Sequence, residues 1–329
     1  MKHIRWAIVG TGYIANSFAQ GMQVVEDATL AAVVSRSEES AQKFAKHYNG
    51  EAIYTDFAQM LVEAKPDVVY LAIPNDLHYD YIHQALDSGV HVLSEKPMVD
   101  TVKQLDEVYA KAEEKNIFLM EGMWTRCFPV VKKVREWIAD GRIGNPLTVN
   151  VSFDIQPDYS DWQTWKAGIA HSGGALRDVG IYSLGVANMV FPGIPEKIAS
   201  AMHSNGEVDD ACRLFLDYGS GKTAFATGAF NQNSDHWARI VGDAGSIAFG
   251  PEFWHPTEAV LSRNDGRIER FELPYAATGF EYEIMAVQAA LRDGKIECPD
   301  FTHAESRIIA KIIEDTRKGW GIFYKTDET

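Results

Sequence analysis

From Ile4 to Glu121, short apolar runs rich in β-branched residues alternate with longer stretches of helical periodicity, the pattern of a parallel sheet whose strands are joined by helices. The runs predict strands at Ile4–Val9, Leu30–Ser35, Ala52–Tyr54, Val68–Ala72, His91–Ser94 and Ile117–Glu121. Between them Asp56 and Asp76 are placed to cap helices, Gly89 to close one, and Thr101 with Gln104 has the spacing of a capping box. A helix over Val130–Asp140 follows, and then the period shortens to two. Leu147–Phe153, Lys197–His203, Ala211–Tyr218, Lys222–Asn231 and Trp237–Val241 read as strands of an antiparallel sheet, with hairpin-like turns at Gly242–Gly245 and Asn264–Gly266. Helical periodicity returns at Asp178–Phe191, Glu281–Asp293 and His303–Lys318. The fold class is therefore α/β: a doubly wound parallel sheet over 1–122, then an α+β domain with an open, mainly antiparallel sheet over 123–329, whose C-terminal helix is able to pack back on the first domain.

Composition narrows the function classes. The 329 residues, 46% hydrophobic and 23% charged, suffice for two ordinary cores, and no apolar run approaches the roughly 18 to 20 residues of a membrane helix. Met1 to Val9 runs straight into a strand without the basic and apolar zones of an export signal, so the expected location is the cytoplasm. A net charge of −15 without a local basic patch argues against nucleic acid and anionic membrane as partners. Cys127, Cys212 and Cys298 lie far apart, and His78, His171 and His236 have no metal-ligand spacing, so no metal site is expected.

The first chemical signal is Gly10-Thr11-Gly12-Tyr13-Ile14-Ala15, a G-x-G-x-x-A turn between the first strand and the first helix. Gly10 permits the tight turn, Gly12 leaves the pyrophosphate unobstructed, and Ala15 allows close packing of helix on strand. The N–H groups and positive dipole end of the helix then face the phosphates. Where NAD proteins place an acidic residue for the ribose hydroxyls, this chain has Ser35-Arg36-Ser37. Arg36 offers a fork of donors to a 2′-phosphate, which favours NADP over NAD; the alternative is an exposed arginine opening the next helix.

Two further segments follow strands of the parallel sheet: Ile73-Pro74-Asn75-Asp76-Leu77-His78 and Ser94-Glu95-Lys96-Pro97. Together with Gly173-Gly174-Ala175-Leu176-Arg177-Asp178-Val179-Gly180-Ile181-Tyr182, they make a chain that resembles the Gfo/Idh/MocA oxidoreductases nearly throughout its length. Glu121-Gly122-Met123-Trp124-Thr125-Arg126 and Gly279-Phe280-Glu281-Tyr282-Glu283 are similar to the dimeric dihydrodiol dehydrogenase and D-xylose dehydrogenase branch. The resemblance implies a Rossmann domain followed by a domain for substrate binding and oligomerisation, and a homodimer or larger homo-oligomer. It implies that Pro74, Asn75, His78, Glu95, Lys96, Trp124 and Arg126 join the glycine turn and Ser35–Ser37 at the cofactor. Lys96 becomes the catalytic lysine, Asp178 binds or orients substrate, and Tyr182 stands where many relatives have a histidine as acid/base.

Those residue types suit alcohol oxidation, in which the hydroxyl proton must leave as the carbonyl forms. A tyrosine's ordinary pKa, near 10, is too high for an efficient base, but an adjacent ammonium such as Lys96 favours the phenolate and also stabilises a developing alkoxide. Asp178, four residues before Tyr182, would share its helix face or cap the helix. Trp124, Trp162, Trp165, Trp254 and Phe280 are candidate walls for a flat substrate, with core packing as the competing account. The expected activity is hydride transfer between NADP, or NAD, and a CH–OH group of a sugar, polyol or dihydrodiol. A non-catalytic NADP sensor and an NAD-dependent, redox-neutral glycosidase are the alternatives.

Overall fold

The computed structural model describes residues 3–157 and 164–328. Strands β1 (Ile4–Val9), β2 (Ala28–Val34), β3 (Ile53–Tyr54), β4 (Val68–Leu71), β5 (His91–Glu95) and β6 (Leu119–Gly122) alternate with helices α1 (Tyr13–Met22), α2 (Glu38–Tyr48), α3 (Phe57–Glu63), α4 (Asn75–Asp87) and α5 (Val102–Lys115). All neighbours pair in parallel, in the order β3-β2-β1-β4-β5-β6. The doubly wound sheet expected from the alternating pattern is thus present. Its direction reverses between β1 and β4, the crevice in which such sheets take ligands. Ser37, Asp56 and Thr101 cap their helices through bonds from Ser40 N (3.3 Å), Gln59 N (2.7 Å) and Gln104 N (3.2 Å). Asp76 does not cap: Pro74, at φ −57°, is the N-cap of α4 and Asp76 lies within the first turn.

The chain continues with α6 (Pro129–Ala139), β7 (Pro146–Asp154), a π-helical turn at Leu176–Gly180 running into α7 (Ile181–Val190), β8 (Lys197–Ser204), β9 (Asp209–Asp217) and β10 (Thr223–Ala229). Next come β11 (Ala238–Gly242), β12 (Gly245–Phe249), β13 (Glu258–Arg263), β14 (Ile268–Glu272), α8 (Phe280–Arg292) and α9 (His303–Gly319). The second sheet runs β14-β13-β12-β11-β7-β10-β9-β8, antiparallel except for β7 with β10. Both turns read from the sequence join strands, Gly242–Gly245 between β11 and β12 and Asn264–Gly266 between β13 and β14. Val149, Val151, Leu214, Leu216, Ala224, Ala226, Ile240 and Ile247 are buried on one face of this sheet, and α7, buried along nearly its whole length, packs on β7 and β10.

The molecule divides into two compact units, Met1–Trp124 with Tyr275–His303, and Thr125–Pro274 with Ala304–Thr329. In the first, α8 packs on α1, where Gly21 leaves so little room that a Cβ would stand 3.0 Å from Phe280 Cβ. In the second, β10 meets the helix opposite it at two glycines: a Cβ on Gly228 would lie 2.7 Å from Gly180 N and 2.8 Å from Gly180 Cα. All three cysteines are buried and none forms a disulfide. No helix among the described residues is long and apolar enough to cross a membrane.

The close approach of Gly228 to Gly180 gives a direct test. Because Gly228→Ala sets a methyl group against backbone that cannot rotate away, it should cost about 1–3 kcal/mol, as overpacked cores do. Urea unfolding followed by tryptophan fluorescence measures the loss, and an unchanged midpoint would contradict the close approach.

Candidate active site

In the first unit the site begins at the carboxyl ends of β1 and β4. Gly10 has φ +102°, and a Cβ there would stand 2.2 Å from Ala72 O, so the turn exists only with glycine. Gly12 is the N-cap of α1 and has no side-chain cap, which leaves the first-turn N–H groups to a ligand. Asn16 holds the turn from behind: its Nδ2 donates to Thr11 O (3.1 Å) and Gly12 O (2.8 Å), and its Oδ1 accepts from Tyr48 Oη (3.1 Å). Ala15 is fully buried, Ile14 is half-buried, and Tyr13 points outward, 76% exposed.

At the end of β2 the hydroxyls of Thr11 and Ser35 lie 3.4 Å apart, and Ser37 N donates to Ser35 Oγ (3.4 Å). Arg36 is exposed and has no hydrogen-bond or carboxylate partner among the described residues. Between the start of α1 and α2 opens a cleft of about 470 Å³ lined by Thr11, Asn16, Ser40, Lys43, Phe44 and His47. No carboxylate lines it. The glycine cradle, the open helix N-terminus and this donor-rich end fit a dinucleotide with a 2′-phosphate.

Lys96 stands at the end of β5, where its backbone is held on several sides. Glu95 Oε2 accepts from Lys96 N (3.2 Å), and Glu95 Oε1 accepts from Tyr70 Oη (2.5 Å). Beyond the cis Lys96–Pro97 bond, Met98 N donates to Glu121 Oε1 (2.9 Å). His78 is completely buried, with Nδ1 3.1 Å from Pro97 O and Nε2 2.9 Å from Ile73 O. It therefore ties the loop after β4, which carries Pro74 and Asn75, to the Lys96 loop. Burial lowers its pKa below the usual histidine value, against the pull of those two carbonyls. A column of rings supports the corner: Trp124 stacks on Phe280 (4.2 Å), Phe280 meets Phe18 edge-on (5.8 Å), and Phe18 stacks on Tyr70 (3.7 Å). Glu283, fully buried on α8, is pushed well above the usual carboxyl range by desolvation and by nearby Glu95.

In the second unit the candidate residues sit on the helix that starts at Leu176. Gly173 and Gly174 are needed there, because Cβ atoms would stand 2.3 Å from Lys166 O and 2.4 Å from Asp209 Oδ1. Gly173 N donates to Gly168 O (3.0 Å) and Gly174 N to Lys166 O (2.8 Å), which draws in the segment that carries Lys166. The Lys166 ammonium then meets both oxygens of Asp178, at 3.2 and 3.1 Å. At the helix start, Leu176 N donates to Asp209 Oδ2 (2.7 Å). Behind it, Tyr324 Oη donates to Gly173 O (2.6 Å) and Arg177 lies 5.1 Å from the Tyr324 ring centre. Tyr182 is 9% exposed, its ring 5.6 Å from Phe153. Phe153 stacks on Trp254 at 3.7 Å, and His236 meets Trp254 edge-on at 5.0 Å.

The structure thus groups Gly10–Ile14 with Ser35–Ser37, and Pro74, Asn75, His78, Glu95 and Lys96 with Trp124 and Phe280, in the first unit, and Asp178, Tyr182 and Trp254 in the second. Arg126 belongs to the second unit. It is 2% exposed inside the second unit, with Nη2 3.0 Å from Glu305 Oε1 and 3.4 Å from Asn188 Oδ1, because the 3-10 turn Trp124–Cys127 directs it inward. Trp162 lies outside the described residues, as does the side chain of Trp165. Asn16, Phe153, Lys166 and Asp209 were not picked out from the sequence, and Glu283 only as the last position of a quoted segment. Only Asn16, four residues after Gly12 on the first helix, had a local signal.

Comparison with known proteins agrees with this geometry. Residues 4–123 match the oxidoreductase family with an NAD-binding Rossmann fold, and residues 131–248 match the GFO/IDH/MocA C-terminal domain. A trans-1,2-dihydrobenzene-1,2-diol dehydrogenase of Mus musculus is 30% identical over 344 residues, 99% of this chain and 99% of that protein. A 3-ketoreductase from Actinomadura kijaniata, solved with NADP and TDP-benzene, superposes with a TM-score of 0.83 at 25% identity, covering 96% of this chain and 97% of that one. An aldose-aldose oxidoreductase from Caulobacter crescentus, complexed with glycerol, shares the fold with a TM-score of 0.86 at 24% identity, over 97% of each chain. With both of its halves matched and the dinucleotide turn in place, the chain belongs to the Gfo/Idh/MocA family of NAD(P)-binding oxidoreductases.

Proposed function

We propose that the protein is an NADP-preferring dehydrogenase acting on a CH–OH group of a sugar, polyol or dihydrodiol, with Lys96 and Tyr182 serving the same reacting hydroxyl. The observation that carries this reading is the Lys96 corner: bonds from Lys96 N and Met98 N and the two His78 contacts fix its backbone at the end of a parallel strand. Such fixing of one lysine serves positioned chemistry better than a solvated surface. When bound, the nicotinamide supplies the acceptor or donor of the hydride. Tyr182 takes the hydroxyl proton during oxidation and returns it during reduction. Lys96 favours the phenolate and stabilises the developing alkoxide. Asp178, paired with Lys166, orients the substrate by accepting from a second hydroxyl. The flat Phe153–Trp254 stack suits the CH face of a sugar or the ring of a dihydrodiol. The dihydrodiol activity of the mouse relative supports that substrate class.

The preference for NADP rests on Arg36, which has no carboxylate partner among the described residues, and on the hydroxyls of Thr11, Ser35 and Ser37 around it. Arg36→Asp should reverse the preference by removing a charge-assisted contact worth about 1.5–3 kcal/mol, roughly tenfold to more than a hundredfold in affinity. Titration of each dinucleotide, followed by tryptophan fluorescence, checks this. Equal affinity of the unmodified protein for NADP and NAD would refute the assignment.

We also propose that the protein is a homodimer. On the sheet face turned away from α7, Phe215 and Phe225 lie 5.0 Å apart and Phe225 is 46% exposed, an apolar surface that a second copy would cover. Light scattering at micromolar concentration should give twice the chain mass, and a monomer would reject the dimer.

The chemical reading is tested by supplying NADP with sugars, polyols and dihydrodiols and following NADPH absorbance, which neither a sensor nor a redox-neutral glycosidase would raise. With a substrate so found, Tyr182→Phe and Lys96→Met should each lower kcat by about 10²- to 10⁴-fold and leave NADP affinity within a few fold. The double variant should fall little below the worse single one, because the two groups act together. Tyr182→Phe with near-normal kcat would sink the tyrosine assignment.

A further inference from the structure

We propose that Asp209 is a positioning residue whose carboxylate fixes the first turn of the helix carrying Asp178 and Tyr182, and that turnover requires it; this rests on the reading that those two residues serve the reaction. A helix leaves its first N–H groups without partners inside the helix, and a side-chain oxygen just before it normally accepts one. Here the residue in that place is Ala175, which has no such oxygen. The acceptor is supplied instead from β9: Asp209 Oδ2 takes the Leu176 N–H at 2.7 Å from 33 positions further along the chain. Asp209 is 1% exposed, and its other oxygen stands 2.4 Å from where a Cβ on Gly174 would lie, so the glycine and the carboxylate are built around each other.

The turn that follows is the π-helical Leu176–Gly180, a geometry less tightly bonded than an α-helix and common at functional sites. Asp178 lies within it and Tyr182 just beyond. The backbone angle at Leu176 therefore determines where both side chains project. The bond from Asp209 goes to the backbone N–H of Leu176, so it acts through the helix backbone.

The charged and titratable groups facing Asp209 are Arg177 from the helix, and Asp210 and Cys212 from its own strand. Burial dominates and pushes the Asp209 carboxyl up to about 6, against the Leu176 N–H and Arg177, which pull it down. Because the folded value lies above the ordinary carboxyl value, the group's contribution to stability is full in acid and is lost as the pH rises through about 6. At neutral pH the carboxylate thus costs stability. A group serving the fold alone would be better neutral, whereas a group serving the site gains from ionisation, because the Leu176 N–H is held more strongly by a carboxylate than by a neutral oxygen, so the two roles predict opposite results.

The test compares Asp209→Asn with the unmodified protein. Its thermal midpoint at neutral pH should be equal or higher, and kcat about ten- to a hundredfold lower, as small displacements of reacting groups produce. KM for NADP should not move, and the acid limb of kcat near pH 6 should disappear. Nuclear magnetic resonance of the labelled chain supplies a readout without turnover: the Leu176 amide and the Tyr182 ring signals should titrate together with a midpoint near 6, and neither should do so in Asp209→Asn. An unchanged acid limb in the variant, a lower thermal midpoint at neutral pH, or a Tyr182 signal that ignores the titration would overturn the proposal. A Tyr182→Phe variant with ordinary turnover would overturn only the functional reading, since the linked titration of Leu176 and Tyr182 is seen without catalysis.

Discussion

The carbonyl oxygen of Ala72 lies 2.2 Å from where a Cβ on Gly10 would stand, and the backbone of Gly180 lies 2.7 Å from where a Cβ on Gly228 would stand. Contact of backbone with backbone, with no side chain allowed between, is the constraint on which both units depend. The first contact brings β1 and β4 together where the sheet reverses, and so shapes the dinucleotide turn. The second lays the helix of Asp178 and Tyr182 directly on β10. A side chain adjusts by rotating, but a peptide does not, so each approach fixes its neighbourhood to within a few tenths of an ångström.

Around these contacts the polar groups are arranged by burial. Glu95, Glu121 and Asp209 each spend a carboxylate oxygen on a backbone N–H at the end of a strand or the start of a helix. A carboxylate taken from water is tolerated when it accepts such bonds, and in exchange it locks the peptide that donates. Lys96 and the helix of Tyr182 are held by this same device, although one follows a parallel strand and the other begins after a glycine pair. Glu283 is different: among the described residues its oxygens have no hydrogen-bond partner, and desolvation favours its neutral form.

Much of the fold was legible because it is local. Helix caps at Asp56 and Thr101, the glycine turn and the period-two runs depend on residues close in sequence. Asp76 failed as a cap for a local reason too, since Pro74 fixes the backbone two residues earlier. What escaped was long-range. Lys166 looks like any surface lysine until the N–H groups of Gly173 and Gly174, donating to Gly168 O and Lys166 O, draw its segment towards Asp178. Asp209 reads as the polar first residue of a strand, and nothing near it points to Leu176. The partners of Arg126 are long-range too: it follows Trp124 closely in a 3-10 turn, and only the positions of Glu305 and Asn188 show what it bonds.

The ring column in the first unit has a consequence for how the chain is made. Phe18 and Gly21 offer an apolar face on α1 whose partner, Phe280 on α8, is encoded after the whole second sheet. At a synthesis rate of about 5–20 residues per second, that face waits roughly 13 to 50 seconds for its covering helix to be made. During the interval residues 1–124 are without the segment that completes their compact unit. The dinucleotide turn opens α1, so the helix that presents its N–H groups to the phosphates is also the one whose apolar face is covered last.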